Sequence, residues 1–250
     1  MASFRILRAF NQEQARAYAG VKTRIGRNSL PFFQGDGLVN RLVRELALER
    51  ALPVKEIVEA FEFFAVARPY LRKNPVIADL CSGHGLAGIL FAVLERRTDK
   101  VFLCDRRQPK NFDDVWRAAT RVAPWIEDKV RYIEGPIERT RVDLAPGTAI
   151  LGLHACGQLT DTCFDIATTL RGSAAVMPCC RSHRLTSAPP ALREALGGDM
   201  AYDIDRTYSL EAKGYRVRWR EIPAEITPMN RILIAIPRPF STSTLGGHPN

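Results

Sequence analysis

The expected fold is α/β: a doubly wound sheet of seven strands, mostly parallel, ending in an antiparallel hairpin and preceded by helices. Three features point to it. A glycine-rich corner, Val76-Ile-Ala-Asp-Leu-Cys-Ser-Gly-His-Gly-Leu-Ala-Gly-Ile-Leu90, joins a short apolar run to a helix-like one. From about residue 75 onward strand-like and helix-like segments alternate, the pattern of a parallel sheet covered on both faces. The last two strand-like runs are only about eight residues apart, Pro223 and Pro228 among them. A parallel crossover needs about a dozen or more, so this pair must be a hairpin.

Composition sets the outer bounds. The 250 residues are 46% hydrophobic and 25% charged, enough apolar material for a full core. No apolar run approaches the ~18 residues of a membrane span. Arg5, Arg8 and Glu13 interrupt any secretory core, so a cytoplasmic protein with no membrane partner is expected. Six cysteines at 81, 104, 156, 163, 179 and 180 suit reduced thiols better than a disulfide framework. Net charge is +9, and residues 1–75 carry thirteen Lys/Arg against seven Asp/Glu. A basic flank of this kind attracts nucleic acid or is merely a solvated helix face; charge alone leaves both open. The sequence sets no oligomeric state.

In chain order, residues 4–27 read as a helix with a loose stripe of Phe4, Leu7, Phe10 and Ala17, broken by Pro and Gly over residues 28–37. Leu38, Leu42, Leu46 and Leu48 mark a periodic helix, and Ile57, Val58, Phe61 and Phe64 one side of another at 54–66. These segments form a helical extension, residues 1–70, that either supplies part of a site or only packs. Strands are expected at 76–78, 100–104, 130–133, 148–153, 174–177, 215–222 and 231–237, with helices at 112–122, 159–170 and near 203–213. Residues 71–239 make the α/β domain, and 240–250 read as a disordered tail.

The corner after the first strand carries the chemistry. Glycines there let the backbone turn sharply and approach a ligand. No Gly-Lys-Ser/Thr follows to grip a triphosphate, and Cys81 stands where the first glycine of G-x-G-x-x-G would be. What remains is Asp79-x-Cys81-Ser82-Gly83-His84-Gly85, with a second acid, Asp105, about twenty positions on, the place of a ribose-binding carboxylate. This pattern resembles motif I of the class I S-adenosylmethionine-dependent methyltransferases, whose Rossmann-like sheet also ends in a hairpin. The resemblance implies S-adenosyl-L-methionine as cofactor. Asp79, Cys81, Ser82, Gly83 and Gly85 would hold its methionine portion and Asp105 its ribose. Glu134 and Ile137 would line the adenine.

The later strand ends are more distinctive. His154-Ala-Cys-Gly-Gln-Leu-Thr-Asp161, Met177-Pro-Cys-Cys180 and Ile226-Thr-Pro-Met-Asn-Arg231 together resemble one methyltransferase subfamily. It is related to the tRNA 2′-O-methyltransferase of the acceptor stem. The resemblance implies an RNA-modifying enzyme of the cytoplasm that transfers a methyl group directly to oxygen. The zinc modules of the tRNA enzymes have no counterpart before residue 81, and the Asn/Asp-Pro-Pro-aromatic motif of amine methylators is missing.

For the side chains themselves, alternatives stay open. His154 is a general base or a histidine bonding a neighbouring loop. Cys156, Cys179 and Cys180 include a nucleophile or are small thiols filling tight turns. His154-x-Cys156 with Cys179-Cys-x-x-His183 match no zinc spacing, so no metal is expected. A deaminase site would need a glutamate at Cys156. Arg181, His183 and Arg184 form a basic loop that would grip RNA phosphates together with the basic N-terminal part. The rival classes are a small-molecule or protein methyltransferase and a cofactor-fold binding module without catalysis.

Overall fold

The structure, a computed structural model, describes residues 3–140, 144–178 and 188–239. The tail expected at 240–250 lies outside the described residues. Seven strands form one sheet: β1 (Val76–Leu80), β2 (Lys100–Asp105), β3 (Val130–Glu134), β4 (Ala149–Leu153), β5 (Ala174–Met177), β6 (Tyr215–Glu221) and β7 (Arg231–Pro237). Their order is β3-β2-β1-β4-β5-β7-β6. The first five are parallel, and β7 runs antiparallel to both β5 and β6. The hairpin expected from the short Pro-containing connection is therefore present. Strand order reverses between β1 and β4, which opens a crevice at their carboxyl ends.

Alternation along the strands puts a core on each face. Ile77, Val101, Leu103, Leu151 and Ile234 pack with α2 (Leu38–Leu48), α3 (Val54–Leu71), α4 (Leu86–Leu94) and α5 (Asn111–Val122). On the other face Ala78, Leu80, Ile150, Val176 and Leu233 meet α7 (Gln158–Leu170) and the end of α9 (Gly198–Ala212). Between α3 and α4, Phe64 and Phe91 pack edge to face with centroids 4.8 Å apart.

The N-terminal part departs from expectation. Instead of one helix over 4–27 there are a 3-10 turn, Arg8–Asn11, and a single helical turn, α1 (Glu13–Arg16). The cause is tertiary. The Glu62 carboxylate, buried on α3, accepts the amide N–H groups of Arg5, Ile6 and Leu7 at 2.8, 3.2 and 3.1 Å. Those donors are drawn together in a turn around one anion, which is worth more than local helix propensity. Further along, Ile25 N–H bonds the Leu52 carbonyl, extending the chain across α3's entry.

Smaller differences are local. Leu48 is exposed, because the core face of α2 is Leu42, Val43, Leu46 and Ala47. Helix α3 runs five residues beyond 66, through Pro69. The single helix expected near 203–213 is α9, which starts at Gly198 and follows α8 (Pro190–Leu196). Strand β1 continues to Leu80, so Asp79 lies inside the strand with its side chain buried.

Candidate functional site

The turn leaving β1 is built largely from backbone. Cys81, Gly83 and Gly85 have φ of 58°, 52° and 72°, a left-handed run that folds the chain back on itself. Ser82 N–H donates to the Cys104 carbonyl (3.0 Å), Gly83 N–H to Asp105 Oδ2 (2.8 Å) and Gly85 N–H to the Ser82 carbonyl (2.8 Å). Tyr132 of β3 donates its hydroxyl to the Gly83 carbonyl at 3.0 Å. A side chain on Gly85 would begin 2.6 Å from Leu103 Cδ1, whereas the space where a Gly83 side chain would start is open for 4 Å. That open space faces a cavity.

Asp79 lies beneath the turn rather than in it. It is buried, its Oδ2 accepts the Gly88 N–H at 2.9 Å, and its Oδ1 has no hydrogen-bond partner among the described residues. Burial, with the Asp105 charge adding to it, pushes its carboxyl up to about 7. The residue thus braces the first turn of α4. Gly135 N–H reaches the Asp105 carbonyl at 2.9 Å, with Glu134 exposed at the end of β3. Ile137 opens α6 (Ile137–Thr140) and packs into the second core beside Cys81.

The cavity encloses about 680 Å³ at the carboxyl ends of β1 and β4. Cys81, Ser82, Gly83, His84 and His154 form one wall. Opposite them stand Lys55, Glu56 and Glu59 of α3, with Thr227 and Pro228 from the β6–β7 connection. His154 ends β4 with φ of 64°, and its Nε2 lies 2.8 Å from Glu59 Oε2. The Glu59 side chain is 0% exposed, and Lys55 Nζ lies 3.2 and 2.9 Å from its two oxygens. His84 Nδ1 accepts the Leu86 N–H at 3.2 Å, so its proton sits on Nε2, 3.6 Å from Glu56 Oε2. Burial lowers His84 to about 4, and the nearby His154 adds to the shift, so the ring is neutral at physiological pH. Burial likewise raises the Glu56 carboxyl.

Of the residues singled out in the sequence, Cys81, Ser82, Gly83 and His154 meet at this cavity. Cys156 is disulfide-bonded, so the expectation of six reduced thiols does not hold for it. Its Sγ lies 3.2 Å from the His154 carbonyl but has no proton to donate. Cys81, Cys104 and Cys163 are in no disulfide. Cys179, Cys180, Arg181, His183 and Arg184 lie outside the described residues.

Two of the quoted motifs are joined through a third element. Asp161, at the end of the His154 motif, takes Arg206 of α9 at 2.7 Å. Arg206 also bonds Asp203 at 3.2 Å, and Asp203 Oδ2 holds Arg231 at 2.6 Å, the last residue of the Ile226–Arg231 motif. Arg231 lies over the Trp219 ring, 5.1 Å from its centroid. Among the described residues no cluster of three or more His, Cys, Asp and Glu is arranged to hold a metal ion, and no helix is long and apolar enough to cross a membrane.

Sequence reasoning missed Lys55, Glu56 and Glu59. A signal was there: Glu56, Glu59 and Glu62 recur every third residue in a helix that is otherwise mostly apolar. Carboxylates so placed on a buried helix need partners, and a partner search would have led to the cavity.

Comparison with known proteins adds a family. A methyltransferase-domain family matches residues 54–187, so α3 lies inside the match. A curated relative from Xenopus laevis, a glutathione S-transferase C-terminal domain-containing protein, is 23% identical over 77% of this chain. The chain spans about a third of that relative's length, 36%. Among solved structures, a protein of Corynebacterium glutamicum superposes with a TM-score of 0.51 at 17% identity, covering 83% of this chain and 93% of its own. A magnesium protoporphyrin IX methyltransferase from Synechocystis with bound S-adenosylhomocysteine has a TM-score of 0.41 at 15% identity, covering 84% and 94%. At these identities the structures speak to the fold alone.

Proposed function

The chain belongs to the methyltransferase-domain family, and from that premise we propose that it transfers a methyl group from S-adenosylmethionine to an oxygen of a structured RNA. The carrying observation is that the glycine turn of the cofactor site and His154 line one cavity of about 680 Å³. The turn supports a cofactor there, while Asp105, Glu134 and Ile137 are not among the residues lining this cavity. Cys81, Ser82 and Gly83 face the cavity and the space over Gly83 is open, while Asp105 already reaches the turn through Gly83 N–H. Cys81 to Gly85 would hold its methionine portion, Asp105 its ribose, and Glu134 and Ile137 would border its adenine. Bound there, the cofactor supplies an electrophilic methyl carbon on sulfur.

The chain's own residues then position a hydroxyl and relieve its proton. The cofactor would supply the methyl carbon and keep the electron pair of its carbon–sulfur bond. The hydroxyl proton passes to His154. The disulfide at Cys156 favours this direct route over attack by that sulfur, since a half-cystine is no thiolate.

An RNA substrate draws support from surface charge. Arg68, Arg72, Lys73, Arg96 and Arg97 surround a hollow of about 430 Å³ near the ends of α3 and α4. Arg68 is paired with Glu95; the other four have no ion-pair partner among the described residues. Five cations around the single carboxylate of Glu95 leave a net positive charge that repels itself, and phosphates relieve that. A small-molecule acceptor is the second reading, favoured by a cavity of drug-like size. Incubation with labelled cofactor and separate RNA, protein and metabolite pools decides between them. Label in RNA, with affinity falling steeply against log salt, is expected. Label confined to metabolites overturns the RNA assignment.

A further inference from the structure

The wall that α3 presents to the cavity does more than enclose it. We propose that Glu59 and Lys55 are positioning residues that orient the His154 ring and set its basicity from opposite sides. This rests on the reading of His154 as proton acceptor. Glu59 is the pivot. Its carboxylate is withdrawn from water, and Oε2 is shared between His154 Nε2 at 2.8 Å and Lys55 Nζ at 2.9 Å. A carboxylate in that position fixes the tautomer: Nε2 carries the proton and Nδ1 is the basic nitrogen. It also fixes the plane of a ring set at the end of β4 on a left-handed backbone, φ 64°.

Lys55 answers a second problem. A buried carboxylate alone would hold the ring as imidazolium, and a ring already protonated accepts no proton. An ammonium on the same carboxylate offsets that pull. Lys55 Nζ and His154 Nε2 meet the same oxygen, Glu59 Oε2, at 2.9 and 2.8 Å. A proton arriving on Nδ1 makes an imidazolium whose Nε2 lies 2.8 Å from that carboxylate. Other charged groups stand at the cavity among the described residues. Glu56 of α3 and Lys22 line the same cavity, and His84 of the turn is held neutral by burial. Cys156, on the segment of His154 itself, is disulfide-bonded and carries no thiolate.

Histidine labelled with carbon-13 tests this directly, since the protein has only four histidines to assign. The His154 resonance is titrated by NMR in the wild type, in Glu59→Gln and in Lys55→Met. Glu59→Gln should lower the His154 pKa by about one unit or more, and Lys55→Met should raise it by a similar amount. Opposite signs are the signature, since loosening of the fold would move both variants the same way. Shifts of one sign, or of less than about 0.3 units in both, overturn the proposal. If the buried Glu59 variant fails to fold, Lys55→Met decides alone: an unchanged or lowered pKa overturns it. The acidic limb of the pH–rate profile separates this from the function assignment. If the NMR shifts are opposite and the limb stays put, control of His154 by Glu59 and Lys55 stands and the proton-acceptor assignment falls.

Discussion

The two walls of the cavity are made of different material. The turn after β1 is backbone: amide groups, carbonyls and left-handed φ angles, tied down by Asp105, Tyr132 and Asp79. The α3 wall is side chain: Lys55, Glu56 and Glu59 projecting from a helix whose own backbone is satisfied. A backbone wall is rigid and nearly sequence-blind apart from its glycines, so it suits a ligand that never changes. A side-chain wall is adjustable in charge one residue at a time, so it suits proton handling.

The largest expected effect strikes the side-chain wall and its partner. His154→Ala should lower kcat by about 10²–10⁴-fold while cofactor affinity, read by calorimetry, stays within about threefold. A matching loss of cofactor affinity would mean the two walls are not separate in function. Asp79→Asn probes the backbone wall through pH. With its folded pKa raised to about 7, the native state holds a proton that the unfolded chain releases near 4. Stability from this group is thus full at low pH and declines as pH rises towards 7. The amide variant should lose that decline, with a gain in denaturant-derived stability at pH 8 relative to pH 5 of up to about 3 kcal/mol. A parallel pair of pH curves would contradict it.

Gly85→Val should destabilise the fold by about 2–4 kcal/mol, combining the left-handed backbone with a clash at Leu103. Thermal melts check this, and cofactor affinity should fall with stability, unlike in His154→Ala. Smallest of all, Lys213→Ala breaks an exposed pair with Asp165 far from either wall. Its effect on the denaturation midpoint should stay within about 0.5 kcal/mol.

That division also explains what was legible in the sequence. The sheet was readable because strand alternation, a glycine corner and a short Pro-containing connection are all local patterns, as Ala174–Met177 and the β6–β7 hairpin illustrate. The backbone wall was readable for the same reason. The α3 wall was not, because Glu59 owes its role to His154, 95 positions away. The N-terminal segment misled for a related reason: Phe4 to Ala17 is helix-like by composition, but Glu62, 57 positions after Arg5, takes its amides. The links from Asp161 to Arg231 through α9 were likewise out of reach of spacing arguments.

The capture of Arg5, Ile6 and Leu7 by Glu62 has one more consequence. Glu62 lies a single helical turn from Glu59 on the same helix. The opening residues therefore act as a tethered ligand, docked in α3 next to the cavity and present at high effective concentration. Withdrawing them, by force or by trimming, would leave a carboxylate buried without its three donors. Leaving that carboxylate buried and unsatisfied would cost stability. Residues 5–7 and the cavity end of α3 are thus coupled in stability, one helical turn apart.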